Sequence, residues 1–173
     1  SGTRLLLSAN YYNSRTTDML YLYNVSVPPF TYNTLLANIG SMRNWGTEIA
    51  IGVTPLKTKD MELNINANIT FQRNKLLSLS GMYNGEMLSA SEYKSLASLD
   101  GAGFPGGYNH IVYQMVGQPL GVFYLPHSTG LESDGNGGYT YGIADLNGGG
   151  VSLEDGEDRY VAGQAVPKTI LGS

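Results

Sequence analysis

Cysteine is absent from the 173-residue chain, so neither a disulfide scaffold nor a thiolate metal centre is available. Charge is scarce as well. Asp, Glu, Lys and Arg make up 14% of the residues, against about 25% in an average soluble domain. The ten Lys and Arg are scattered and the formal net charge is −4, which argues against a nucleic-acid surface. No run of about 18 apolar residues occurs, so no transmembrane helix is expected. No basic, apolar and then small-residue pattern opens the sequence, so no signal peptide is expected within it. Histidine is limited to His110 and His127. Each sits in a Gly/Pro-rich stretch without a nucleophile–base motif, and no enzyme is expected on that ground. What fills the space left by charge is 23 glycines, 13 tyrosines and 14 asparagines.

Period-two alternation dominates the first half. In residues 4–13, Leu5, Leu7, Ala9 and Tyr11 alternate with Arg4, Leu6, Ser8, Asn10 and Tyr12. In residues 45–54, Trp45, Thr47, Ile49, Ile51 and Val53 alternate with Gly46, Glu48, Ala50, Gly52 and Thr54. In residues 61–73, Met61, Leu63, Ile65, Ala67, Ile69 and Phe71 alternate with Glu62, Asn64, Asn66, Asn68, Thr70 and Gln72. Successive strand side chains point to opposite faces, so each segment has one apolar and one polar face. The short segment from Pro55 to Asp60 reads as a hairpin turn between the second and third strands. A fourth strand region spans 111–125 around the turn Gly117-Gln118-Pro119. Long loops are expected at about 18–44 and 74–110. Within the second, residues 86–99 carry helix-favouring residues, with Leu88, Tyr93, Leu96 and Leu99 spaced for one short amphipathic helix. Residues 101–107 form a Gly/Pro breaker cluster, and a Gly-rich acidic tail runs over 130–173.

Such alternation suits two solvents. In a soluble β-sandwich the apolar face packs on a second sheet. In an outer-membrane barrel it faces lipid while the polar face lines a wet lumen. At about 3.3 Å per residue and a tilt near 45°, Met61 to Phe71 spans roughly 25 Å, the height of a barrel's apolar band. Pairing Trp45 with Phe71 places Ile51 opposite Ile65 and Val53 opposite Leu63. It also puts Tyr11, Trp45 and Phe71 at one height, as an interfacial aromatic girdle requires. One end has a short turn and the other has long connections, the asymmetry of outer-membrane barrels. The row Asn64, Asn66, Asn68, Thr70 and Gln72 suits a lumen, though the solvated face of a sandwich would also accept it.

Four stretches resemble the C-terminal part of the barrel in SusC/RagA-type TonB-dependent transporters. They are Leu7 to Tyr21 (LSANYYNSRTTDMLY), Asn38 to Ile51 (NIGSMRNWGTEIAI), Val116 to Tyr124 (VGQPLGVFY) and Ala144 to Gly172 (ADLNGGGVSLEDGEDRYVAGQAVPKTILG). They occur in the family's order and anchor nearly the whole chain. The resemblance implies an all-β, antiparallel barrel region of the cell outer membrane and import of oligosaccharides, peptides or similar nutrients. It also implies a SusD-like surface lipoprotein and TonB as partners. The chain is then expected to be a fragment whose apolar faces pack on its own loops or on another copy. The alternative from another class is a soluble β-sandwich carbohydrate-binding module.

Two ligand sites can be read from residue types. Asp145, Asn147 and Gly150 fall where a Ca²⁺ loop places oxygens and its turn glycine. Gly149 replaces the third acidic ligand, and the closing carboxylate falls to Asp155, Glu157 or Asp158. The candidate metal set is therefore Asp145, Asn147, Asp155 and Asp158, beside the plainer reading of a solvated acidic turn. No other cofactor is expected. Tyr108, Tyr113, Tyr124 and Tyr139 are candidate glycan contacts, since a ring face stacks on a sugar and the hydroxyl bonds to it. Equally, large loops need amphipathic anchors.

Overall fold

A computed structural model describes residues 5–99 and 109–172. Every regular element among the described residues is a strand. The strands are β1 (Leu5–Asn24), β2 (Thr34–Lys57), β3 (Glu62–Ser78), β4 (Ser80–Tyr83), β5 (Glu86–Ser89), β6 (Tyr93–Ser98), β7 (His110–Met115), β8 (Val122–Pro126), β9 (Ser128–Ser133), β10 (Tyr139–Ile143), β11 (Arg159–Gln164) and β12 (Thr169–Gly172). They form a four-stranded sheet in the order β1-β2-β3-β12, a second in the order β11-β8-β7-β6, and the hairpins β4–β5 and β9–β10. All pairings are antiparallel. The first sheet is thus an up-and-down meander, and β4 to β11 all lie in sequence between its third and fourth strands.

The three long strands run well past the expected segments. β1 has 20 residues, β2 has 24 and β3 has 17. Much of the stretch assigned to the loop 18–44 is therefore paired strand. Leu20↔Asn38 to Asn24↔Thr34 continue the ladder beyond a bulge at Thr16 to Met19, where Asp18 takes a φ of 56°. Aspartate tolerates this left-handed conformation better than most residues.

The register of β2 on β3 differs by two residues from the expected one. Trp45 lies opposite Arg73, Ile51 opposite Ala67 and Val53 opposite Ile65. The strands continue to Lys57 and Glu62 across a bulge between Val53 and Leu56. The turn then closes on Thr58 and Met61, where Thr58 N–H donates to the Met61 carbonyl at 2.7 Å. A shift of two keeps every side chain on its expected face.

The faces are sharply different. Odd-numbered Leu5, Leu7, Ala9 and Tyr11 align with Val53, Ile51, Ile49 and Thr47, and these with Ile65, Ala67, Ile69 and Phe71. Leu7 is 65% exposed and Tyr11 66%, and Ile51, Ile65 and Phe71 are exposed too. The partner that the alternative, a β-sandwich, would require is missing: no second sheet covers this face among the described residues. Burying one such side chain is worth about 1.5–3 kcal/mol, so a strip of this breadth is costly in water and suited to hydrocarbon. The even face carries Ser8, Asn10, Glu48, Asn66, Asn68, Thr70 and Gln72, with Leu6 an apolar departure. Thr54 donates to Asn64 there at 2.7 Å. Gly46 is required on that face, since a Cβ would meet the Tyr12 hydroxyl at 2.6 Å and the Phe71 carbonyl oxygen.

The free edge of β3 is covered from Asn68 to Leu76. β12 pairs with Asn68 to Phe71, and Gln72 N–H donates to the Lys168 carbonyl. Leu120 N–H donates to Asn74 Oδ1, and Leu76 exchanges backbone bonds with Gly117 and Gln118.

The expected helix over 86–99 does not form. Glu86 to Ser89 pairs with β4, and Tyr93 to Ser98 pairs with β7. Between them the Ser91 hydroxyl accepts the Tyr93 N–H at 3.2 Å and donates to its carbonyl at 2.7 Å. Leu88 is buried against Tyr23 and Ala37, at the end of β1–β2 opposite the Thr58–Met61 turn. Available strand partners and this burial outweigh local helix preference. The breaker cluster 101–107, like Arg4 at the start of the first strand, lies outside the described residues.

Candidate functional site

The long connections gather at the end of the meander opposite the Thr58–Met61 turn. Two small cores hold them. One joins Tyr23, Ala37 and Leu88, and the other joins Tyr113, Val122 and Tyr124.

The second core is built around Arg159, the first residue of β11. Its guanidinium is almost fully buried between two rings, 4.7 Å from the centroid of Tyr113 and 4.8 Å from that of Tyr124. Nη1 donates to the Tyr113 hydroxyl at 2.8 Å and to Asp155 Oδ1 at 3.2 Å. Nη2 donates to the backbone carbonyls of His110 at 2.7 Å and Tyr124 at 2.9 Å. The planar fork thus ties β7, β8 and the acidic loop together, a task a single ammonium could not perform. Tyr93 stacks on Tyr124 at 5.6 Å, and the Tyr124 hydroxyl accepts the Gly156 N–H at 3.1 Å. Burial pushes the Tyr113 and Tyr124 hydroxyls above their ordinary pKa.

The acidic loop is organised by its own carboxylates. Asp145 accepts the N–H groups of Gly148 at 2.6 Å and Gly150 at 3.0 Å. Asp158 is fully buried and accepts from Leu146 at 2.6 Å, Ser152 at 2.8 Å and Asn147 at 3.3 Å. The Ser152 and Leu146 N–H groups are the main cause of its lowered pKa, which desolvation opposes. The Asn147 amide donates to Glu157, and Asp155 pairs with Arg159. The four residues proposed as Ca²⁺ ligands are thus close in the chain but turned to separate tasks. Among the described residues no group of three or more acidic or histidine side chains is arranged around a common point.

The tyrosines separate likewise. Tyr113 and Tyr124 are buried with their rings and hydroxyls engaged, so the expected ligand contact does not fit them. Tyr139 is 75% exposed on the β9–β10 hairpin, and Tyr108 lies outside the described residues. Open aromatic surface is found elsewhere. Tyr21, Leu22, Asn24, Ser89, Ala90, Ser91, Tyr93 and Lys94 line a cleft of about 280 Å³. Lys94 Nζ lies 4.7 Å above the Tyr21 ring. A second cleft of about 590 Å³, between Asn24–Phe30 and Glu86–Ser89, shares Asn24 and Ser89 with the first. Rings, amides and hydroxyls around an open cleft suit sugars or peptides. His110 shares its Nδ1 with the Ser95 and Ser98 hydroxyls, at 2.9 and 2.7 Å, in an exposed position.

Comparison with known proteins matches this geometry. No protein-family model matches the chain. Over 136 residues, 76% of its length, the chain is 30% identical to TonB-dependent receptor P39 of Formosa agariphila. Over 70 residues, 40% of its length, it is 33% identical to TonB-dependent receptor SusC of Bacteroides thetaiotaomicron. The chain spans 11% and 7% of the length of these two relatives. Among solved structures, it superposes on a chain of the RagAB peptide transporter with a TM-score of 0.58 and 20% identity, over 98% of this chain and 16% of that one. The open-open state of the RagAB peptide importer gives 0.59 and 19%, over 96% and 16%.

Proposed function

The chain belongs to the SusC-type TonB-dependent receptors, and from that premise we propose that it forms part of the wall and outer surface of an outer-membrane importer of oligosaccharides, peptides or similar nutrients. The carrying observation is the division of β1–β3 into an exposed apolar odd face and an asparagine-rich even face, below an outer end where all long connections gather. Lipid on one side and a wet lumen on the other account for both. The outer clefts around Tyr21 and Tyr93 lie where arriving nutrient would first be met. Since the chain spans only 11% and 7% of these receptors, import would draw on the remainder of such a protein, with TonB for energy. A SusD-like lipoprotein would cover the outer end.

Deletion of the gene in its host, followed by growth and labelled-uptake assays over a panel of oligosaccharides and peptides, tests the reading. Loss of uptake of at least one class, restored by the intact gene but not in a strain lacking TonB, is expected. Unchanged uptake across the panel would refute it.

A further inference from the structure

The odd face changes character in the two rows beyond the Tyr11–Thr47–Phe71 row. The first is Asn13–Trp45–Arg73 and the second is Arg15–Arg43–Lys75. Four of the chain's ten cations therefore occupy two adjacent cross-strand rows on one face. All four are exposed, and none makes an ion pair among the described residues. The acids of the same strands are placed elsewhere: Glu48 and Glu62 project to the even side, and Asp18 sits in the bulge beyond the rows. Neutral groups hold the guanidinium groups in position. Arg43 Nε donates to Asn13 Oδ1 at 2.9 Å and its guanidinium lies 5.1 Å from the Trp45 ring centroid. Arg73 Nη1 donates to the Gln72 carbonyl at 2.9 Å.

Like charges directly opposite one another weaken strand pairing. Arg15, Arg43 and Lys75 stand in that relation without an acid between them. The row lies four residues beyond Phe71 on β3, roughly 9 Å higher at a tilt near 45°. That is headgroup depth, outside a hydrocarbon core about 30 Å thick.

We propose that Arg15, Arg43, Arg73 and Lys75 form a docking strip for the phosphate groups of outer-leaflet lipids. The assignment rests on the membrane reading above, which makes the Thr58–Met61 turn periplasmic and this row external. Arginine forks suit phosphate oxygens, and Trp45, level with Arg73 and one row below Arg15, Arg43 and Lys75, fits the boundary between acyl chain and headgroup. A phosphorylated lipid supplies the counter-charge that the sheet lacks.

The test uses the full-length protein inserted in phosphatidylcholine vesicles with or without diphosphorylated lipid A, then extracted and analysed by native mass spectrometry for retained lipid. Retention of lipid A over phosphatidylcholine is expected. In Arg15→Gln/Arg43→Gln/Lys75→Gln it should fall by about ten- to a hundredfold, and Arg15→Lys/Arg43→Lys should retain most of it. Equal retention by the wild type and the glutamine variant would overturn the proposal, as would no preference for lipid A. Full displacement by millimolar inorganic phosphate would mark a free-anion site and overturn the lipid assignment. Quenching by brominated phosphatidylcholine of a fluorophore at Leu7→Cys separates the underlying reading. Quenching at Leu7 without lipid A retention refutes the strip alone, whereas no quenching at Leu7 refutes the membrane face itself.

Discussion

Asp158 and Arg159 are consecutive, oppositely charged and both buried, yet they do not pair with each other. Asp158 turns into the loop 145–157 and accepts three backbone N–H groups. Arg159 turns between Tyr113 and Tyr124 and serves two carbonyls, a hydroxyl and Asp155. Asp158 ends the loop and Arg159 begins β11, so one dipeptide fastens a loop on one side and a sheet on the other.

Arg159→Met keeps the stem but leaves the His110 and Tyr124 carbonyls without their donor. A loss of about 3 kcal/mol is expected in the β6–β7–β8–β11 sheet. Arg159→Lys should recover only part of it, since one ammonium cannot replace the fork. Hydrogen exchange at β7 and β8 amides provides the readout, with β1–β3 unaffected.

Asp158 gives a pH signature. Its backbone donors hold the folded pKa below the ordinary 3.8. A depressed folded pKa stabilises above the unfolded value, and that contribution is lost as pH falls through the folded one. Asp158→Asn should therefore melt below the wild type near neutral pH, and the gap should narrow as pH drops below about 4. A gap independent of pH would show that the carboxylate charge contributes nothing.

Calcium should leave this loop unaffected. Asp145 and Asp158 already satisfy backbone N–H groups, and Asp155 is tied to Arg159. Titration to millimolar Ca²⁺ is expected to leave the melting temperature unchanged. A saturable rise, lost in Asp145→Asn, would restore a metal site.

Gly46→Ala sets a Cβ against the Tyr12 hydroxyl and the Phe71 carbonyl. Overpacking of this kind costs about 1–3 kcal/mol. Adding Tyr12→Ala should relieve only part of the loss, because the backbone oxygen of Phe71 cannot withdraw. Denaturant unfolding of the two variants and their combination measures this.

Much of the first sheet was legible because its alternation is strict. Leu5 to Tyr11 and Met61 to Phe71 declare both their period and their faces. A register slip of two keeps parity, so the faces came out right even though Trp45 meets Arg73 rather than Phe71. The row Arg15–Arg43–Lys75 was hidden for another reason: the expected strands stopped at 13, 45 and 73, short of all three residues. Residues 86–99 misled for a different reason: helix preference is local, whereas the pairing of Tyr93 to Ser98 with β7 is not. Arg159 carried no local signal either. Its partners His110, Tyr113 and Tyr124 lie 35 to 49 positions away, and only the folded sheet assembles them. Composition marked the tyrosines as important without distinguishing the buried Tyr113 from the cleft-lining Tyr21.

The central claim is that the odd face of β1–β3 meets lipid and the even face meets water. Single cysteines at Leu7, Ile51 and Ile65, and at Ser8, Ala50 and Asn68, can carry a fluorophore in the full-length protein in brominated-lipid vesicles. Strong quenching at the first three positions and little at the second three is expected. Equal quenching on both faces, or none on the odd face, would contradict the account.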